Sequence, residues 1–233
     1  MHLFYIPNIA GNLITLNEVE SKHCIRVLRL NKGDSVQLVD GIGGFYNARI
    51  EVPDIKRCQL KIFESNKDYE KHSYYLHIAI APTKNMDRLE WFLEKSTEIG
   101  IDEITPLFCR FSERKVIKPE RLKNIIVSAM KQSLKAHLPG LNGLHKFEDF
   151  IAMPFEGKKF IAHCYDGKKT ALKENIQPGD KVLILIGPEG DFSLEEVKLA
   201  KANGFMEVTL GKSRLRTETA GIVACHTVNL LNE

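Results

Sequence analysis

Apolar positions along this chain follow two patterns, and the change falls near residue 70. Before it they come in short runs, at residues 3–6, 35–39, 45–52 and 59–63. Runs of that length, bounded by Gly, Asn and Asp, predict short β-strands. Between the first two runs the spacing predicts a helix from Asn17 through Leu28, with Glu20 closing a capping box. Asp40-Gly41-Ile42-Gly43-Gly44 reads as a flexible hairpin loop. Its glycines do not make a dinucleotide fingerprint, because no helix follows. Short strands at this spacing predict a small β-barrel.

Residues 65–73 are polar and aperiodic, which marks a linker. Beyond it strands and helices alternate. Strands are expected at 75–81, 103–107, 160–164, 182–186 and 208–210, and helices at 87–99, 119–137, 193–203 and 217–231. Leu89, Phe92 and Leu93 give the first of these helices one apolar face. Alternation of this kind implies an α/β layer built on a parallel sheet. The fold class expected is therefore α/β with a smaller N-terminal β-barrel, and the domains divide as 1–70 and 71–233.

Composition narrows the classes of function without choosing one. At 233 residues, 43% hydrophobic and 27% charged, the chain is an ordinary globular protein with room for two small domains. No apolar stretch is long enough to span a bilayer and the N-terminus lacks a signal pattern, so a cytoplasmic protein is expected. The five cysteines are scattered, which argues against a disulfide framework or a zinc site and suits a reducing compartment. There is no HExxH, Walker A or G-x-S-x-G motif, and no metal is expected. The net charge of +3 is small, but its distribution is uneven. Residues 109–139 hold eight basic and two acidic side chains, against nine of each in residues 1–70. That stretch is either a solvated helix face or a phosphate-binding track.

The sharpest chemical signal lies in two glycine-marked corners near the C-terminus. The first leaves the apolar run 182–186 through Gly187-Pro188-Glu189-Gly190-Asp191 and enters a helix at Ser193, where Glu196 completes a capping box. The second leaves the strand 208–210 through Gly211 and enters the last helix at Thr217. Two such corners make a ligand crevice at the carboxyl edge of a sheet.

Together the corners resemble one family, the knotted SPOUT-class methyltransferases that use S-adenosylmethionine. They are most similar to the 16S ribosomal RNA uridine-N3 methyltransferases, with their IGPEGG(F/L)S and LGxRILRTETA forms. Lys84, Arg88, Glu90, Lys95, Glu98, Gly100, Ile104 and Pro106 fit that family's K…R.E…K.tElG…I.P block. Lys131-Gln132-Ser133 to Pro139 and His23 with Val27-Leu28-Arg29 extend the likeness over nearly the whole chain. Three departures stand out: Asp191 where a second Gly is usual, and Ser213 and Lys135 where Arg is common.

The resemblance implies a PUA-like RNA-binding barrel at 1–70 and a methyltransferase domain with a C-terminal trefoil knot at 71–233. It assigns the cofactor, S-adenosylmethionine, to Leu185, Gly187, Pro188, Glu189, Gly190, Leu210, Gly211, Arg214 and Leu215, with Thr219 and Ala220 behind them. The implied partners are 16S ribosomal RNA in the small subunit and a second copy of the chain in a homodimer. Uracil N3 must lose a proton to be methylated, so a cation beside the flanking carbonyls would help. Arg216 is the first choice for that role and Arg214 the second, while Glu189 is either a base or a loop stabiliser. Arg26, Arg29, Arg110, Arg114, Lys131 and Lys135 are expected phosphate contacts. Two alternatives remain open: methylation of another RNA nucleotide, and a non-catalytic RNA-binding assembly factor.

Overall fold

The computed structural model describes residues 2–233 and divides into two compact units. The first comprises the chain through Lys71 together with Met130–Leu138. Its elements are β1 (Leu3–Tyr5), β2 (Leu13–Thr15), α1 (Glu18–Lys22), a wider π-type turn at His23–Val27, β3 (Ser35–Val39), β4 (Phe45–Val52) and β5 (Gln59–Asn66). Asn17 caps α1 by accepting the Glu20 N–H at 2.9 Å. The strands form one curled sheet in the order β1-β3-β4-β5-β2, with β1 parallel to β3 and the rest antiparallel. Period-2 alternation turns Val36, Leu38, Ala48, Ile50, Leu60 and Ile62 inward onto Phe4, Ile14 and Cys24.

Three expectations for this region change. β2 is an extra strand; Leu13 and Thr15 are exposed and only Ile14 is buried, too little apolar pattern to announce it. β5 continues to Asn66, so the linker starts later than Ser65. The glycine loop is a fastened hairpin and not a flexible one. The Asp40 carboxylate accepts from the Ile42 and Gly44 N–H groups and the Tyr46 hydroxyl at 2.8–2.9 Å. Gly43 N–H donates to Ala136 O, and Leu138 N–H to Gly41 O. Gly41 needs to be glycine, since its φ is +83° and a Cβ would stand 2.9 Å from the Tyr5 ring.

The second unit, His72–Ala129 with Pro139–Glu233, follows the strand–helix alternation. Its elements are β6 (Tyr75–Ile80), α2 (Met86–Ile99), β7 (Glu103–Phe108), α3 (Pro119–Gln132, whose residues from Met130 on belong to the first unit), β8 (Gly140–Leu141), β9 (His145–Lys146), α4 (Phe147–Ile151), β10 (Lys158–Ala162), β11 (Thr170–Ala171), β12 (Lys181–Ile186), α5 (Leu194–Ala202), β13 (Met206–Thr209) and α6 (Thr217–Leu230). All pairings are parallel, in the order β11-β13-β10-β12-β6-β7-β8, with β9 also on β7. Central strands are covered on both faces. Ala79, Ala81, Leu183 and Leu185 pack with Phe147, Phe150, Phe192 and Val197 of α4 and the segment around α5. Ile80, pointing the other way, meets α6 at Gly221.

The helix expected at 119–137 stops at Gln132. Leu134 is left-handed (φ 57°), and the Leu134 and Lys135 N–H groups turn back to Lys131 O and Met130 O, which closes the helix five residues early. The short elements β8, β9, α4 and β11 were not anticipated; each is five residues or fewer, below the length at which periodicity shows. Among the described residues, no helix is long and apolar enough to cross a membrane.

Candidate active site

Because the sheet is parallel, β10, β12 and β13 all end on one edge, and the loops leaving them gather there. After β12 the chain turns through Gly187-Pro188-Glu189-Gly190 into Asp191, whose φ is +67°. Asp is among the few residues that visit the left-handed region readily. Its carboxylate also does what a glycine cannot: Oδ2 accepts the Cys164 N–H and Oδ1 the Phe192 N–H, both at 2.8 Å. This departure from the family form therefore ties the β10 loop to the β12 corner. Tyr165 adds a hydroxyl bond to Phe192 O at 2.7 Å, and Lys169 Nζ donates to His163 O and Tyr165 O.

The second corner is a local turn of different construction. Thr209 Oγ1 donates to Gly211 O at 2.8 Å and accepts the Gly211 N–H at 3.2 Å. Gly211 has φ +133°, and the space where a Cβ would stand is open for 4 Å. The two corners are joined by Thr217, whose buried hydroxyl donates to Gly187 O at 3.0 Å.

These loops enclose a cavity of about 700 Å³, within the range of small-molecule sites. Gly187, Pro188, Glu189, Leu210, Gly211, Arg214, Leu215, Arg216 and Ala220 line it, so most of the expected cofactor residues and all three expected catalytic ones come together. Three do not line it. Leu185 is wholly buried in β12. Gly190 backs onto Phe111, and Thr219 lines a neighbouring cavity of about 550 Å³ together with Asp87, Arg88, Trp91 and Glu218. Arg214, Leu215 and Arg216 are common to both cavities.

The loop after β10 supplies a wall that the sequence did not reveal: His163, Cys164, Tyr165, Asp166, Gly167 and Lys169. The signal available was that 160–164 reads as a strand beside two others, yet no motif marked its loop. His163 is held by Glu207 Oε1 at 3.1 Å, and Lys201 also pairs with Glu207. Burial, then the nearby Lys169 charge, pushes the His163 imidazole below its ordinary value, favouring the neutral ring. Burial, then Asp191, pushes the Cys164 thiol up.

Glu189 reaches away from chemistry with one oxygen: Oε1 accepts the Lys84 N–H at 2.9 Å. Arg216 is exposed and serves as the N-cap residue of α6. Of the expected phosphate contacts, Arg26 and Arg29 are exposed in the first unit. Lys131, in the same unit, is ion-paired with Glu20 at 2.8 Å and lies 5.8 Å over the Phe4 ring. Lys135 is half-buried nearby in sequence. In the second unit, Arg110 lends its N–H to Glu196 at 2.8 Å, and Arg114 donates to Lys84 O at 2.8 Å.

Residues 70–229 match the family described as RNA methyltransferase domain, and residues 16–63 the RNA methyltransferase PUA domain. A ribosomal RNA small subunit methyltransferase E from Synechocystis is 30% identical over 230 residues, covering 94% of this chain and 74% of that protein. Among solved structures, one described as a probable rRNA-methyltransferase from Porphyromonas gingivalis has a TM-score of 0.93 at 42% identity, covering 100% of this chain and 98% of that one. A ribosomal RNA small subunit methyltransferase E from Neisseria gonorrhoeae, bound to S-adenosyl methionine, has a TM-score of 0.88 at 27% identity, covering 100% and 98%.

Proposed function

Since the chain belongs to the RNA methyltransferase family, and is therefore an RNA methyltransferase, we propose that it methylates N3 of a uridine in small-subunit 16S ribosomal RNA, with S-adenosylmethionine as methyl donor. One observation carries the cofactor half of that reading: both glycine corners, Gly187-Pro188 and Leu210-Gly211, line the cavity at the carboxyl edge. At Gly211 a φ of +133° and open space on the Cβ side let the main chain approach a purine without a side chain between them. Acids (Glu189, Asp191) and bases (Lys169, Lys212, Arg214) around the same cavity complement a ligand that carries a sulfonium, an ammonium and a carboxylate. When bound, the cofactor supplies an activated methyl group. The chain supplies position and charge.

Arg216 stands on the wall common to both cavities. In this reading its guanidinium stabilises negative charge on the uracil carbonyls as N3 is deprotonated, and the first unit, with its PUA-type match, grips RNA through Arg26 and Arg29. The reading also includes a knotted C-terminal segment and a homodimer. Incubating small subunits that lack the modification with the protein and S-adenosylmethionine, then mapping nucleosides by mass, tests the activity. N3-methyluridine is expected at one position; methyl transfer to another nucleotide, or none, would reject the reading. Light scattering tests the dimer.

A further inference from the structure

Of the carboxylates on the two corners themselves, Glu189, Asp191 and Glu218, the first two are engaged. Glu189 Oε1 accepts from the Lys84 N–H, and Asp191 accepts from the Cys164 and Phe192 N–H groups. Glu218 is different. It is 7% exposed, its Oε2 is buried without a hydrogen-bond partner among the described residues, and its ion-pair partner, Arg88 Nε, is 3.9 Å from Oε1. A buried carboxylate oxygen with no donor is unfavourable, and such groups call for an explanation. Glu218 lines the 550 Å³ cavity, and so does Trp91, the chain's only tryptophan, which is 43% exposed. An exposed indole beside a cationic wall is a stacking platform for a nucleobase.

Resting on the uridine-N3 reading, we propose that this second cavity receives the target uracil against Trp91, and that Glu218 is the base that takes its N3 proton. The wall common to both cavities, Arg214 to Arg216, brings the base beside the cofactor. The step balances within the site. The N3–H proton passes to the Glu218 carboxylate, the freed N3 electron pair bonds to the methyl carbon, and the carbon–sulfur pair stays on sulfur, which becomes a neutral thioether. Arg216 faces the charge that develops on the carbonyl oxygens, and the Glu218 carboxylic acid then returns its proton to solvent.

All indole fluorescence of this protein arises from Trp91, so occupancy of the cavity can be read without turnover. Titrating the protein, loaded with S-adenosylhomocysteine, with an oligouridine of about five nucleotides should quench that fluorescence, and Trp91→Ala should weaken oligouridine binding about tenfold. Glu218→Gln keeps the shape and the ability to accept a hydrogen bond, so the quench and the calorimetric cofactor affinity should persist. Single-turnover methyl transfer should fall by roughly 10²–10⁴-fold, the usual worth of a general base. Glu218→Asp should recover part of the rate, and it decides the matter if the Gln variant melts early. An unquenched indole, or a Gln variant within about threefold of wild type, overturns the assignment. Absence of N3-methyluridine from the wild-type reaction defeats the function reading instead, and the quench still decides whether the cavity takes a base.

Discussion

Two glycines in the corners that line the larger cavity look alike in sequence and differ in what a side chain would do. At Gly211 a Cβ meets open space, but φ is +133° and the new atoms would stand in the cavity. Gly211→Val should therefore weaken S-adenosylmethionine binding, because its side chain fills ligand space, and should also lower stability by about 1–3 kcal/mol for such a backbone conformation. At Gly187 the backbone is ordinary, yet a Cβ would lie 3.1 Å from the Phe192 ring, which is wholly buried. Gly187→Val should lower the melting temperature as well as the affinity, with an overpacking cost of about 1–3 kcal/mol. Calorimetric titration beside thermal melting separates the two. A Gly187→Val variant that melts like wild type would show that Phe192 moves aside.

Packing of α2 on α6 is the element contact on which the second cavity depends, because Trp91 and Arg88 lie on one helix and Glu218 and Thr219 on the other. Gly221 lets those helices approach closely: a Cβ there would stand 2.6 Å from the Phe92 ring and 3.1 Å from Ile80 Cδ1. Asn229 Nδ2 fastens the far end of α6 to Gly100 O at 2.8 Å. Gly221→Val should destabilise the protein by about 1–3 kcal/mol, a fall of about 2–4 °C per kcal/mol at this size. It should also impair turnover more than Gly187-side substitutions of equal stability cost, since it parts Trp91 from Glu218. Melting curves read beside single-turnover rates test both halves. A rate loss no greater than the stability loss would assign Gly221 to the core alone.

At the scale of the whole molecule, two charge effects are measurable. His77 is buried beside Glu103, with its Nε2 2.7 Å from Thr105 Oγ1, and burial pushes it down to about 4 from 6.5. Between those values the unfolded chain binds a proton that the folded chain does not. Stability is thus complete above pH 6.5 and declines as pH falls toward 4, by about 3 kcal/mol at the full shift. His163 is shifted the same way. Melting temperature should fall across that window, and His77→Gln should flatten the curve; an unchanged slope would remove His77 as its cause. The second effect concerns RNA. Arg26 and Arg29 are exposed, whereas Lys131 is paired with Glu20. Neutralising both arginines should reduce the salt slope of RNA binding by up to about 2, while Lys131→Gln should chiefly lower stability. A slope that responds only to Lys131 would reverse those roles.

Long strands, long helices and both glycine corners were legible in the sequence because each is encoded locally. Apolar runs such as 182–186 span enough residues for a period to show, and Ser193 with Glu196 writes its own cap. The parallel α/β class followed from alternation alone, and a small β unit, expected as a barrel and found as a curled five-stranded sheet, from short runs. Tertiary structure decided the rest. The end of α3 at Gln132 is set by a left-handed Leu134, and β2 exists because a neighbouring strand offers it a ladder; neither depends on a local pattern. The corners announced a crevice, but the β10 loop joined it only because parallel pairing sets β10 between β12 and β13. Trp91 and Glu218 stand 127 positions apart. One reads as a helix-surface aromatic and the other as an acid in a helix first turn, and only the packing of α2 on α6 brings them to one cavity.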